Sequence, residues 1–361
     1  MKNGYVMTSS ERKGNFCWPS VARIPDGRLA VAASGFRLGH VCPFGKVAVS
    51  FSEDEGESWS APRVVFDSPL DDRDAGICSW KGKIVLTTFN NTLYFQKKFA
   101  EEYYSGNDKA EILKYISSVS KEQEREFLGS YYLITDCEMN ILRKGKLPIS
   151  SPHGMSVLRD GSLFYAGRTY GHEDITGRKN DMVNRIGVMK SEDGENFGKP
   201  HWIDLPEKEV SEGVLFCEPY AVQLSSGRIL LQIRAQKEGL FTVYQCFSDD
   251  GGRTFGVPQK LRVPEGEMRG SPPHLLETSG GELVLTYGYR EKPYGQRARI
   301  SRDGGENWGE EIVLRADGTS WDLGYPATAE CADGSLITVY YQIPEGCKNR
   351  SIMYTKWSMQ R

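Results

Sequence analysis

Hydrophobic and polar residues alternate along this chain in short runs, Lys46-Val-Ala-Val-Ser-Phe51 and Arg297-Ala-Arg-Ile300 among them, and this period of two predicts strands with one buried face. Each such run closes on a near copy of one polar motif. The copies read Ser52-Glu-Asp54-Glu-Gly56-Glu-Ser-Trp59, Ser191-Glu-Asp193-Gly194-Glu-Asn-Phe197, Ser248-Asp-Asp250-Gly251-Gly-Arg-Thr-Phe255 and Ser301-Arg-Asp303-Gly304-Gly-Glu-Asn-Trp308. Asp and Gly supply a hairpin turn, and the closing aromatic ring is placed to dock beneath its sheet. A second repeat counts the modules: a strand-opening residue followed eight positions later by a turn glycine, at Pro19/Gly27, Asp74/Gly82, His153/Gly161, Pro219/Gly227, Pro273/Gly281 and Pro326/Gly334. Apolar runs such as Leu29-Ala-Val-Ala32 and Leu336-Ile-Thr-Val339 follow these glycines.

Successive glycines lie 55, 79, 66, 54 and 53 residues apart, roughly what a four-stranded antiparallel unit and its turns consume. Six units predict an all-β chain folded as a six-bladed β-propeller, a single domain over residues 1–361. The last unit has three strands, ending in Ser351-Ile-Met-Tyr-Thr-Lys-Trp357, and Gly4-Tyr-Val-Met-Thr8 is available as its outer strand. Closing the ring this way removes both free sheet edges. The long second interval departs from this grammar. Residues from about Phe99 to Leu128 include Glu111-Ile-Leu-Lys-Tyr-Ile-Ser-Ser-Val119, whose apolar positions recur at helical spacing, so a helical insertion is expected in the second blade. It reads first as a solvated decoration with one face on the propeller, with a lid or a contact for a homo-oligomer as the alternatives.

Composition narrows the partners. With 361 residues and 39% apolar content the chain can bury a large core; length alone would suggest two domains, which the repeat overrules. A net charge of −3 without a Lys/Arg cluster interleaved with aromatics argues against nucleic acid and membrane surfaces, and for a neutral or small acidic ligand. The start Met1-Lys-Asn-Gly-Tyr-Val-Met7 lacks a secretory apolar core and no apolar run reaches membrane-spanning length. The expected location is cytoplasmic, or secreted or periplasmic after removal of a leader. Eight scattered cysteines without a Cys-x-x-Cys pair predict reduced, mostly buried thiols, and nothing calls for a metal or another cofactor.

In a propeller the innermost strands surround the axis, so their upper ends converge on one pocket. In this repeat those ends fall at Cys17, Asp72-Arg73-Asp74, Ser151 to His153, Cys217-Glu218, Arg269 to Pro272 and Asp322 to Tyr325. Loops after the second strands add Arg37, His40, Arg168, Arg234 and Arg290. So many arginines predict an anion or a dense set of hydroxyls. Plainer roles compete at each position: Tyr325 as a rim aromatic beside Trp321, Arg234 and Arg168 as ion-pair partners of Glu218 or Asp72, and Asp72 to Asp74 as a latch between blades.

The four polar motifs resemble the Asp boxes of the sialidases and of the wider superfamily that shares their six-bladed fold, over nearly the whole chain apart from the insertion. The resemblance implies that Tyr325 stands for the family's tyrosine nucleophile and Glu218 for the carboxylate that takes its proton. It also implies that Arg234 and Arg297 match two of the three arginines that hold a sialic acid carboxylate. The first arginine departs. Arg23-Ile-Pro25 spells the family's signature, yet the repeat aligns that signature's proline with Pro19, which puts Cys17 in the arginine's place and makes Arg23 a decoy. The glutamate that pairs with the first arginine falls on Gln342, a coherent double loss, because a buried carboxylate without its arginine would cost several kcal/mol. The family's acid/base aspartate falls on or near His40, whose ordinary pKa of about 6.5 suits proton donation near neutrality.

These matches imply an exo-acting glycoside hydrolase for a terminal acidic sugar: sialic acid-like, another nonulosonic acid or a uronic acid. Tyr325 would attack with help from Glu218, and His40 or an acid from Asp72 to Asp74 would protonate the leaving oxygen. Arg234, Arg297, Arg168, Arg37, Arg73, Asp72, Asp74 and His153 are the expected substrate contacts. A non-catalytic glycan-binding propeller using the same pocket is the alternative, and a lyase or trans-glycosidase a third possibility.

Overall fold

Each turn glycine of the repeat joins, or lies beside the segment that joins, the innermost strand of a sheet to its second strand, and there are six such sheets. The structure is a computed structural model that describes residues 1–171 and 185–359. The first sheet runs outward as Asn15–Arg23, Leu29–Arg37, Lys46–Ser52 and Arg63–Phe66. The others repeat this order from innermost strands at Asp71–Trp80, Ile149–Ser150 with Ser156–Val157, Leu215–Gln223, Pro273–Glu277 and Gly324–Glu330. These inner strands contact one another in sequence around the axis, and the last contacts the first. The sixth sheet takes Lys2–Met7 as its outer strand, antiparallel to Ser351–Trp357, so the chain's own start closes the propeller as its pattern predicts.

Four of the six inner strands carry the same irregularity, and it decides where the chemistry sits. Pairing skips two residues between Cys17 and Ser20, Arg73 and Gly76, Cys217 and Tyr220, and Gly324 and Ala327. The first skipped residue is always left-handed: Trp18 (φ 53°), Asp74 (φ 45°), Glu218 (φ 50°) and Tyr325 (φ 51°). A non-glycine residue there costs about 1–3 kcal/mol, and its repetition at one level of the ring marks a place where side chains are held against local preference. Proline follows in three cases, Pro19, Pro219 and Pro326, where the missing N–H removes a ladder donor that the bulge could not use.

The four Asp boxes lie at the turns between third and fourth strands and are closed units of hydrogen bonding. In the first, Ser52 Oγ donates to Asp54 Oδ1 (2.8 Å) and accepts from Gly56 N (2.8 Å), while Asp54 Oδ1 accepts from Ser58 N (2.8 Å). The Ser58 hydroxyl, which donates to Asp54 Oδ2 (2.5 Å), then the Ser58 N–H and Ser52 Oγ hold the Asp54 carboxyl at about 2. The closing aromatic does more than dock beneath its own sheet. Trp308 is 2% exposed among Leu224 and Leu230 of the fourth blade and Leu283 of the fifth, and its Nε1 donates to Gln245 Oε1 (3.1 Å), so the ring locks neighbouring blades. Trp308→Ala should therefore lower unfolding stability by about 3–5 kcal/mol in urea titration. A loss below about 1 kcal/mol would show that the ring does not carry that contact.

The helical insertion is present and begins earlier than its periodicity predicts. Three helices, α1 (Leu93–Tyr103), α2 (Gly106–Ser118) and α3 (Lys121–Phe127), sit between the second and third strands of the second blade. The start of α1 is set by Thr92, whose side chain accepts from Phe95 N (3.1 Å), an N-cap that the preceding strand pattern disguises. Ala100, Ile112 and Ile116 bury against Cys42, with Leu38 and Phe44 packed on the same cluster. The insertion is thus fastened over the loop that carries His40.

Candidate functional site

The bulges and the second-strand loops meet in a cavity of about 470 Å³ at one end of the axis, a size suited to a small ligand. Its lining includes Tyr325, Glu218, Asp74, Arg73, Arg168, Arg234, Arg290 and His40. On the floor, Tyr325 Oη donates to Glu218 Oε1 at 2.5 Å. Arg234 Nη1 donates to Glu218 Oε2 (2.5 Å) and to Tyr325 Oη (3.2 Å), and its Nη2 donates to Gln236 Oε1 (2.5 Å). Arg290 comes from the neighbouring blade and lies 5.7 Å over the Tyr325 ring and 5.2 Å over Phe241.

Charge and burial give these groups distinct states. Burial, reinforced by the Glu218 charge, pushes the Tyr325 phenol well above its ordinary value, so it rests protonated. Burial alone would raise Glu218, but Arg234 and the phenol's hydrogen bond outweigh it and hold the carboxyl below its ordinary value. Asp74 behaves oppositely. Burial raises it to about 7 despite the opposing charge of Arg73, with Glu218 adding to the rise, and its Oδ1 has no hydrogen-bond partner among the described residues. The site therefore holds one ionised and one readily protonated carboxyl at neutral pH, the separation that acid and base roles require.

His40 lines the cavity, 36% exposed, with Nδ1 3.4 Å from Asp322 Oδ2. Burial lowers its pKa in spite of that carboxylate, so the ring is neutral near pH 7 and a poorer proton donor than Asp74. Asp322 is itself occupied, accepting from Tyr341 Oη (2.7 Å) and Arg350 Nε (2.9 Å).

Several expected contacts lie elsewhere. Arg297 does not enter the cavity; it sits on the third strand of the fifth blade, where Nε donates to Glu311 Oε1 (3.1 Å), Nη2 donates to Pro293 O (3.0 Å), and the guanidinium lies 4.6 Å over Tyr289. Third strands stand too far from the axis, and Arg290, in the loop after the second strand, supplies the guanidinium of that blade instead. Arg37 is a layer back, fully buried with Asp71 (2.5 Å) and donating to Ser34 Oγ (2.7 Å) and His40 O (3.0 Å). Asp72 accepts from Ser68 N (2.6 Å), Ser68 Oγ (2.7 Å) and Asn90 Nδ2 (3.3 Å), because alternation turns it away before the bulge resets the facing at Asp74. His153 is buried and does not line the cavity; it packs beside Tyr325 (6.3 Å) and His274 (5.3 Å). Cys17 is buried one residue short of the bulge, and Arg23 lies far from the cavity, paired with Glu55 (2.7 Å) in the first Asp box. Gln342 is buried, with Nε2 3.5 Å from Asp317 Oδ1.

The structure also adds residues that the sequence reading does not single out. Trp18 takes the first bulge, its ring 6.5 Å from Tyr325, and carries the Arg73 guanidinium at 4.1 Å. Phe241 lies under both Arg234 (5.1 Å) and Arg290 (5.2 Å), and Phe95 and Phe99 of α1 reach the cavity wall. Trp18-Pro19, Glu218-Pro219 and Tyr325-Pro326 share one signature, which would have found Trp18. Nothing in α1 announces that its rings face a pocket.

The family model described as a BNR repeat-like domain matches residues 157–338. Among solved structures, a protein of unknown function from Dyadobacter fermentans is similar over 100% of this chain and 98% of its own, with 21% identity and a TM-score of 0.76. The NanB sialidase from Streptococcus pneumoniae is similar over 99% of this chain and 70% of its own, at 12% identity and a TM-score of 0.68. The intramolecular trans-sialidase from Ruminococcus gnavus covers 98% and 97%, at 12% identity and a TM-score of 0.63. At these identities the likeness carries the six-bladed fold and no activity. A comparison with curated proteins finds no match.

Proposed function

The chain belongs to the BNR repeat-like family, within the sialidase superfamily, and from that premise we propose that it is an exo-acting glycoside hydrolase for a terminal acidic sugar. One observation carries the reading: a phenol 2.5 Å from an ionised carboxylate, on the floor of a cavity that four arginines line. A phenol is a neutral nucleophile and can approach an anomeric carbon that bears a carboxylate without the repulsion an aspartate would meet. Arg290, with Arg168 and Arg73 across the cavity, would hold the acid group and the hydroxyls.

In the first step Tyr325 Oη forms a bond to the anomeric carbon while its proton passes to Glu218, and Asp74 gives its proton to the leaving oxygen as the glycosidic bond breaks. Water then reverses the sequence. Asp74 takes a proton from the attacking water, the sugar–Tyr325 bond breaks, and Glu218 returns the proton to the phenol. Asp74 replaces His40 as the proposed acid because it is the group whose environment keeps a proton available near pH 7.

The test is a screen of aryl glycosides of sialic, other nonulosonic and uronic acids, read as product release by mass spectrometry, with Arg290→Met beside wild type. At least one acidic glycoside should be cleaved, and Arg290→Met should weaken kcat/KM by about 10- to 100-fold, the worth of one charge-assisted contact. Binding without cleavage of any of them would make the chain a glycan-binding propeller instead.

A further inference from the structure

The two walls of the cavity mouth are chemically unlike. Arg168, Arg234 and Arg290 come from the third, fourth and fifth blades, with Phe241 against the last two, whereas the side formed by the insertion and the loop before the sixth blade is mostly aromatic, Arg73 of the second blade being the lining arginine nearest to it in the chain. Phe95, Phe99 and Tyr103 recur at every fourth position of α1, so they share one helix face. Their rings form a row, 6.4 Å from Phe95 to Phe99 and 4.5 Å from Phe99 to Tyr103. The first two line the cavity and Tyr103 continues the row into solvent. Trp321, 56% exposed, lines the same cavity one residue before Asp322, and His40, close to Asp322, stacks on Phe99 at 6.3 Å.

This wall is fixed, since α1 is capped by Thr92, tied back by Gln96 Nε2 to Asn91 O (2.8 Å), and packed on α2 through Ala100, Ile112 and Ile116. Phe95 and Phe99 are half-buried and Trp321 is exposed, and rings left partly open beside a pocket gain free energy when a flat apolar face covers them.

We propose that Phe95, Phe99 and Trp321 form a subsite for the leaving group, selecting conjugates whose next unit is uncharged and presents a flat apolar face, an aryl ring or the CH-lined face of a neutral sugar. This rests on the hydrolase reading for the identity of the occupant. It implies that the acidic sugar is taken from the end of a neutral glycan or an aryl conjugate and not from a chain of acidic sugars.

The experiment compares N-acetylneuraminic acid, or the acid chosen in the screen, linked to methanol, to lactose, to 4-methylumbelliferone and to a second acidic sugar. Wild type, Phe99→Ala and Trp321→Ala are assayed, and each kcat/KM is divided by that for the methyl glycoside, so that comparing variant with wild type cancels intrinsic leaving-group reactivity. The lactose or aryl ratio should fall about tenfold in each variant, the scale of one lost stacking partner. The acid-linked ratio should stay put. Trp321 is exposed, so its variant remains informative if Phe99→Ala fails to fold. Turnover with unmoved ratios overturns the subsite and leaves the hydrolase standing. If nothing is cleaved, dissociation constants for the same glycosides are measured by calorimetry. A tenfold change in their ratio then supports the subsite while the hydrolase falls, and unmoved or undetectable binding overturns both.

Discussion

Tyr325→Phe is expected to lower kcat on acidic glycosides by about 10³-fold or more while leaving binding of the intact glycoside within about threefold, because it deletes the attacking oxygen and little else. The phenol is buried and bonded to Glu218, so the substitution leaves Glu218 Oε1 without that donor, at a cost of about 1–3 kcal/mol. Arg234 still holds the other oxygen, and the fold should survive. Glu218→Gln is the harsher change. It removes the proton acceptor and also strips a buried guanidinium of its counter-ion, a loss of about 3–5 kcal/mol. A drop in activity for Glu218→Gln alone would therefore be ambiguous, whereas a drop for a Tyr325→Phe protein that still melts cooperatively and binds the glycoside is not. Retention of more than a tenth of wild-type kcat by Tyr325→Phe would remove the phenol from the reaction.

Asp74→Asn carries the second large effect, and it is visible in two independent measurements. Wild-type kcat should decline as pH rises through about 7, because the carboxyl that burial raises to about 7 must hold its proton to act as the acid. The variant should lose that limb and fall by about 10²- to 10⁴-fold on lactose-type leaving groups, and by far less on an aryl group that departs without protonation. Stability should move with it. The folded carboxyl binds its proton more tightly than the unfolded one, about 7 against 3.8, so the stabilisation it brings is complete below pH 3.8 and disappears as pH climbs through 7. Asp74→Asn has no such dependence. Compared with the variant, wild type should therefore weaken by a few kcal/mol, at most about 4, between pH 4 and pH 8. Parallel stability curves across that range, by urea titration at each pH, would show that Asp74 is ionised or solvated in the folded protein.

How far the site could be read in advance depends on which residue is asked about. Tyr325, Glu218 and Arg234 were reachable because each stands at a fixed offset from a turn glycine, and such an offset carries a side chain to the same height in every blade. Arg290 was reachable from its place in the loop after a second strand, nine residues past Gly281, yet resemblance pointed to Arg297, and only the partners of Arg297 on Glu311 and Pro293 O show that it faces outward. Asp72 and Asp74 could not be separated by counting, since a single bulge reverses the alternation between them. The insertion was legible as helix from its period, whereas the face it turns to the cavity was not.

Local chemistry was thus sufficient for the strands of the six sheets and the Asp-box turns, because alternation, turn glycines and capping act between residues a few positions apart, while the closure by Lys2–Met7 followed from counting strands per repeat. Tertiary structure alone decided that Tyr325 meets Glu218 across 107 positions of chain, that Asp74 is buried enough to keep a proton, and that an aromatic helix face looks into the mouth. Those outcomes depend on which segments the closed ring brings together and how much water it removes from between them, and neither quantity is a property of any short stretch of sequence.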